Sequence, residues 1–409
     1  MRIFQYVLLC LLVAFIVWRG IIPAFSHLDT DFPNYYTSAR LLLEGKDISR
    51  VYDDAWFLQQ ANQYGMEISR FSPYPPCSVF IMVPFAWAPP LLALQLWTAL
   101  NIFFLAAVIA LLVKITRKDW LWCSLIMLSS GIGLVNNFRF GQFYVVLLLL
   151  IIAAYYWWEM RQPYLSGIAL GIGVVVKYFP AIYFINLATR KEWKTFLTGI
   201  ATVVLLTGAG IWVLGAEAHR QFVSNILFSH FDGTIKGQSS FSPIFESWNS
   251  LLRRLFVYDP AENPSPLAAL PIAYHILKWV IVLTVGIFTV WAYKRTKAVW
   301  AEKAVQVQFA LVSIAALLLL PASATYHFLL LVLPVALVLS ARSPWSVDQK
   351  IVLLCYVAIG FMPYSIFRGF ESSGVLTVLA YPRLWCMTIL FVAAVRMSAI
   401  SHKKVYDHE

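Results

Sequence analysis

Two aspartates stand where the chain leaves its first apolar run, in the order Asp29-Thr30-Asp31-Phe32. A carboxylate held where lipid meets water can take the proton from a hydroxyl as that hydroxyl attacks an electrophile. Two carboxylates spaced D-x-D can also hold a divalent cation. No third ligand is evident in the sequence, so a metal site at Asp29 and Asp31 is the alternative, and no metal or other cofactor is expected. A structural use exists beside both: Asp is common at a helix N-cap, and Asp31 precedes Pro33, a residue suited to the first helical turn.

The other residues able to do chemistry are scattered. Lys177 interrupts an apolar run, where a charge is costly and usually faces a cavity or a partner. Snorkelling to the interface is its plain alternative. His327 ends the corner that begins at Pro321, where a lone histidine often serves only as an interfacial hydrogen-bonder. Arg139 occupies the short corner Asn137-Phe138-Arg139-Phe140-Gly141-Gln142. Lys236, Arg253 and Arg254 fall in a long polar stretch, as phosphate ligands or as a solvated face. Tyr74 lies within Phe71-Ser72-Pro73-Tyr74-Pro75-Pro76. It belongs to a stiff link from which the prolines exclude helix, or it offers a flat face to a sugar ring.

The elements that must position these residues follow from composition. The 409 residues are 60% hydrophobic and 12% charged, against about 45–50% and about 25% in soluble domains. Apolar runs near the ~20 residues that span a bilayer recur along the chain. They are continuous rather than alternating, which excludes a strand-built barrel. The fold class is therefore an all-α polytopic membrane protein, with the lipid bilayer as its first partner. The net charge of +11 does not point to nucleic acid, because Lys and Arg gather in short loops between apolar runs, as cytoplasmic loops do. Four of the five cysteines, Cys10, Cys123, Cys355 and Cys386, lie inside apolar runs without metal-like spacing, and Cys77 sits beside a polar loop. No structural disulfide is expected. The N-terminal run carries Arg19 and shows no small-residue cleavage site, and so reads as an uncleaved first span.

Loop charge gives the threading. Residues 24–77 carry seven acids against four Lys or Arg and are placed outside as a first extracytoplasmic loop. Residues 215–268 form the second. Residues 164–188 are apolar with basic residues at both ends, and Lys177 and Pro180 interrupt them; a pair of half-depth helices on one side is favoured over a single span. The expectation is ten full spans plus this broken pair, in one integral membrane domain over 1–409, with both termini cytoplasmic. No internal repeat is evident.

Several motifs, in order, resemble the polyprenol-phosphate-mannose-dependent mannosyltransferases of glycosyltransferase family 87. They are Asp31-Phe32-x-x-Tyr35-Tyr36-x-x-Ala39, Leu43-x-Gly45-x-Asp47, Val51-Tyr52, Phe71-x-x-Tyr74-Pro75-Pro76, Leu96-Trp97-x-x-x-Asn101, Gly141-Gln142, Lys177-x-x-Pro180, Asn249-x-Leu251-Leu252, and the turn from Pro321 to His327. Two features depart: the later corner holds His327 preceded by Tyr326 rather than paired histidines, and the family's N-Q-S stretch is incomplete. The resemblance implies a GT-C helical bundle in the bacterial inner membrane, with its active site on the outer face. It implies a polyprenyl-phosphate-sugar donor, a glycolipid or glycan acceptor, and Asp31 at the position of the family's catalytic aspartate. Mannose is the implied sugar. Arabinofuranose or another pentose is the alternative, since some relatives are thought to transfer it.

The implied reaction sets physical needs. One inverting displacement needs a single base, for which Asp31 is assigned. The leaving lipid phosphate gains negative charge and needs cations or donors. Lys177 and His327 are the first choices, then Arg139, Lys236, Arg253 and Arg254. Tyr35, Tyr36, Tyr74, Gln142, Gln238 and Asn249 are the expected sugar and acceptor contacts. From a different functional class, a lipid-linked glycan transporter or flippase shares the many spans, but such proteins usually carry inverted repeats and midplane polar sites.

Overall fold

The computed structural model describes residues 2–28, 31–67, 70–71, 74–235, 238–300, 303–371 and 374–399. Among these the chain is helical, with no strand and one isolated bridge between Asp259 and Asn263. Four helices are long and apolar enough to cross a bilayer: Arg2–Ser26, Pro90–Thr116, Trp193–Leu214 and Pro271–Thr296. Two bent pairs raise this to as many as six. Five shorter apolar helices of 10–17 residues accompany them. The protein is a multi-pass membrane protein built from helices.

Several segments expected as straight spans are bent or short. Residues 120–136 form Trp120–Leu128 and Ile132–Arg139, bent by 74° around Gly131, whose φ of +55° suits a residue without Cβ. The last apolar segment bends by 66° between Gly374–Ala380 and Pro382–Ser398, where a proline opens the second helix. The stretch 164–188 is two helices, Pro163–Val176 and Ile182–Thr189, with a 3₁₀ turn Phe179–Ala181 between them. At the break, Lys177 is extended (φ −149°, ψ 126°). Pro180 reinforces it by lacking an N–H donor.

Where the sequence reads as one domain, the contacts divide the chain into two compact units. One comprises the described residues of 1–115, 119–128 and 132–237; the other comprises those of 116–118, 129–131 and 238–409. In the first, Pro163–Val176 packs between Tyr144–Glu159 and Trp193–Leu214. Gly167 and Gly171 make this packing close. A Cβ at Gly167 would lie 2.6 Å from Thr195 O, and one at Gly171 2.7 Å from Gly199 O. Small residues at such crossings are the usual device of membrane helices, where apolar burial gives little drive to associate. The crossing fixes the helix whose end carries Lys177.

The segment expected as the first outer loop is structured. It holds the helices Phe32–Leu43 and Asp54–Asn62 and a 3₁₀ turn Ile48–Arg50. Phe32, Tyr35, Tyr36, Phe57, Phe71 and Trp97 bury their rings in one aromatic core. In the second unit, Glu246 and Arg383 form a buried ion pair at 2.8 Å, with side chains 1% and 3% exposed. Arg383 also donates to Ile359 O and Met362 O, so both charges are met by several partners, as a buried pair requires.

Candidate active site

Asp31 occupies the N-cap position of Phe32–Leu43, yet its side chain makes no capping hydrogen bond. Its carboxylate points elsewhere: Gln142 Nε2 donates to Asp31 Oδ2 at 2.7 Å. The same amide accepts from Tyr35 Oη at 2.8 Å. Lys177 Nζ lies 3.4 Å from Tyr35 Oη. One polar chain thus runs Asp31–Gln142–Tyr35–Lys177. Its hydrogen bonds join partners up to 142 positions apart, and it lies entirely within the first unit. Gln142 is fully buried, while Asp31 and Lys177 remain part-exposed. The helix N-terminus beneath Asp31 adds a favourable field for its negative charge.

Aromatic rings surround the cationic end. Lys177 Nζ stands 4.4 Å from the ring centre of Tyr74, 5.0 Å from that of Tyr144 and 5.9 Å from that of Tyr35. Ring faces attract an ammonium, the more so where water is scarce. Tyr35 stacks on Phe143 at 3.9 Å and meets Tyr74 at 4.5 Å. Tyr74 is held by its backbone, whose carbonyl accepts from Tyr52 Oη at 2.6 Å. Arg70 N donates to Asn34 Oδ1 and ties the same segment to the helix of Asp31. Tyr36 is committed elsewhere, donating to Ala88 O at 2.7 Å.

The corner that presents Gln142 is built by its neighbours. Gly141 has φ +62°, and a Cβ there would lie 2.7 Å from the Phe32 ring. Trp97 Nε1 donates to Gly141 O at 3.0 Å. Asn137 Oδ1 accepts from the backbone N–H groups of Tyr144 and Val145, capping the next helix. Asn137 Nδ2 in turn contacts Asn101 Oδ1 at 3.4 Å, and Asn101 is anchored to Trp97 O. Trp97, Asn101, Gly141 and Gln142 therefore form one device that aims an amide at a carboxylate.

Beside Lys177, Tyr178 Oη and His230 Nδ1 are 2.9 Å apart. Nothing in the spacing of the sequence marked His230. It stands alone in a polar stretch and reaches Tyr178 only through the tertiary fold.

The remaining expected site residues divide as follows. Arg139 is exposed, its guanidinium 5.8 Å from the Phe140 ring centre. Lys236 and Asp29 lie outside the described residues. Gln238, Asn249, Arg253, Arg254 and His327 belong to the second unit. There Asn249 Oδ1 accepts from Tyr274 Oη at 2.7 Å, and Arg253 donates to that same hydroxyl at 3.2 Å. Arg254 donates to Phe241 O and Glu371 O, binding loop segments together. His327 Nδ1 sits 3.1 Å from Ala324 O, with the ring against Tyr326. Gln238 is exposed. Among the described residues no group of three or more His, Cys, Asp or Glu side chains gathers as metal ligands would.

The family "Glycosyltransferase family 87" matches residues 71–321. The chain is similar to the polyprenol-phosphate-mannose-dependent alpha-(1-2)-phosphatidylinositol mannoside mannosyltransferase of Mycolicibacterium smegmatis. Identity is 27% over 248 residues, covering 55% of this chain and 53% of the relative. The protein of the same description from Mycobacterium tuberculosis is 23% identical over 241 residues, covering 51% of this chain and 52% of the relative. The chain thus spans about half the length of the curated relatives it matches. Among solved structures, ArnT from Cupriavidus metallidurans bound to undecaprenyl phosphate aligns with TM-score 0.48 at 12% identity, over 95% of this chain and 77% of that one.

Proposed function

The chain belongs to glycosyltransferase family 87, and from that premise we propose that it transfers mannose from a polyprenyl-phosphate donor to a hydroxyl of a glycolipid or glycan. The donor is suggested by the relatives, whose description is polyprenol-phosphate-mannose-dependent. The observation that carries the reading is the carboxylate of Asp31. It stands at a helix N-terminus without capping it and is instead held by Gln142, in one hydrogen-bonded line with Lys177.

The arrangement fits a single displacement. The acceptor oxygen attacks the anomeric carbon, its proton passes to Asp31, and the bond from that carbon to the phosphate oxygen breaks. The electron pair leaves with the lipid phosphate. General-base help of this kind contributes roughly 10²–10⁴-fold. Gln142 fixes the carboxylate by donating to Oδ2. Lys177 supplies positive charge where the phosphate becomes more negative. The surrounding rings exclude water and strengthen that interaction. A β-linked donor would give an α product. Tyr35 and Tyr74 are candidates to contact the sugar. The site is read as lying on the outer face of the cytoplasmic membrane, in a GT-C bundle, with both termini inside and no metal required.

The test is transfer by the purified full chain in lipid, with radiolabelled polyprenyl-phosphate-mannose and with the arabinofuranose-bearing donor. A covalent mannosylated product that still forms in excess chelator is the expected result. Product from the pentose donor alone would replace mannose. Movement of lipid-linked sugar across vesicles without any product would replace transfer with transport.

A further inference from the structure

His230 is 8% exposed, and its Nε2 is buried with no hydrogen-bond partner among the described residues. A buried polar atom left unmatched is costly, so a fold that retains one usually has a use for it. Which hydrogen the ring carries follows from its other contact. Tyr178 Oη lies 2.9 Å from Nδ1. If the hydroxyl donates to Nδ1, both groups are matched and the ring hydrogen sits on Nε2. The opposite tautomer would leave two groups unmatched, the hydroxyl hydrogen and the Nε2 lone pair. The first assignment makes Nε2–H a donor awaiting an acceptor. Burial, and to a lesser extent the nearby Lys177 charge, push the imidazole down to about 4. The ring is therefore neutral at ordinary pH, and it donates without adding a second full charge to the site.

We propose that His230 Nε2–H hydrogen-bonds a phosphate oxygen of the lipid-linked donor, completing with Lys177 the subsite for the leaving group. An ammonium and an N–H donor close together, with Asp31 at the other end of the polar chain, suit an acceptor-rich anion better than a sugar hydroxyl. This inference rests on the lipid-phosphate reading given above.

The test uses the full-length protein in lipid and two probes, polyprenyl phosphate without sugar and the parent polyprenol without phosphate. His230→Ala should weaken polyprenyl phosphate binding about 10-fold, the worth of one hydrogen bond to a charged group, and leave polyprenol binding unchanged. His230→Gln, whose amide N–H reaches the Nε2 position, should restore most of that affinity. His230→Asn, whose shorter amide falls at the Nδ1 position, should not. The loss should appear in donor KM and also in kcat at saturating donor, because the phosphate gains negative charge as it leaves. Equal behaviour of the Gln and Asn variants, or unaltered phosphate affinity in His230→Ala, would overturn the inference while wild-type transfer stands. Failure of the wild type to prefer polyprenyl phosphate over polyprenol would instead remove the lipid-phosphate reading, and this one with it. Should the variants fold poorly, nitrogen NMR of histidine-labelled wild type decides. Saturation with polyprenyl phosphate should move the His230 Nε2 resonance, and a fixed resonance would contradict the proposal.

Discussion

Asp31 and Gln142 are 111 positions apart, and the value of each depends on the other. The amide gives Asp31 a donor that favours its ionised form, the form a base needs. Substituting Gln142→Glu would place a second carboxylate at hydrogen-bond distance from the first. Like charges that close cannot both ionise readily, so the pair would hold a proton to higher pH. A base works only above its pKa, and the sign follows directly: the acid limb of the kcat profile should move to higher pH, with a larger loss at pH 6 than at pH 8. An unchanged profile with a uniform loss would show that Gln142 does not tune Asp31. At this scale the sequence was partly legible. Asp31 stood out by type and place, and Lys177 by the cost of a charge in an apolar run. The link between them was not legible, because Gln142 and Tyr35 read only as sugar contacts until the fold joined them. His230 carried no local signal, since its meaning comes from a hydroxyl 52 positions away.

At the scale of elements, the corner between Ile132–Arg139 and Tyr144–Glu159 does the positioning. It turns on Gly141, where left-handed backbone and the nearby Phe32 ring both reject a side chain. Gly141→Ala should cost at least about 1–2 kcal/mol from conformation alone, with further loss from the clash. The expected readout is a lower Tm in detergent together with a fall in transfer, since Gln142 follows directly. A fully stable and active Gly141→Ala protein would show that the corner is not what fixes the amide. The interruption at Lys177 could be read from Lys177 and Pro180 beside the basic flanks of 164–188. The bends at Gly131 and before Pro382 could not, because apolar runs interrupted by one small residue look like ordinary spans. Single-sequence patterns report apolar length well and helix direction poorly, which is why segments read as straight spans are bent or short.

At the scale of the whole molecule, the apolar composition settled an all-helical multi-pass membrane protein, and the family followed from ordered motifs rather than from any one of them. The division into two compact units had no counterpart in composition. The second unit has its own fastening in Glu246 and Arg383, both nearly inaccessible to solvent. Removing one member leaves an uncompensated buried charge, so Glu246→Ala should destabilise by about 3–5 kcal/mol. Replacing both by apolar residues of similar volume should recover much of that loss. Thermal unfolding of the single and double variants checks this, and equal destabilisation of both would show that the pair's hydrogen bonds to the backbone, rather than its charges, hold the unit.

The most direct measurement compares Asp31→Asn with wild type for sugar transfer at saturating polyprenyl-phosphate-mannose, with donor binding measured in parallel. Asparagine keeps the shape and can still accept the Gln142 hydrogen bond, but it cannot take a proton. Transfer should fall by roughly 10²–10⁴-fold while donor affinity stays within about threefold of wild type. A variant that binds the donor and transfers at near wild-type rate would contradict the account, whatever else at the site remained intact.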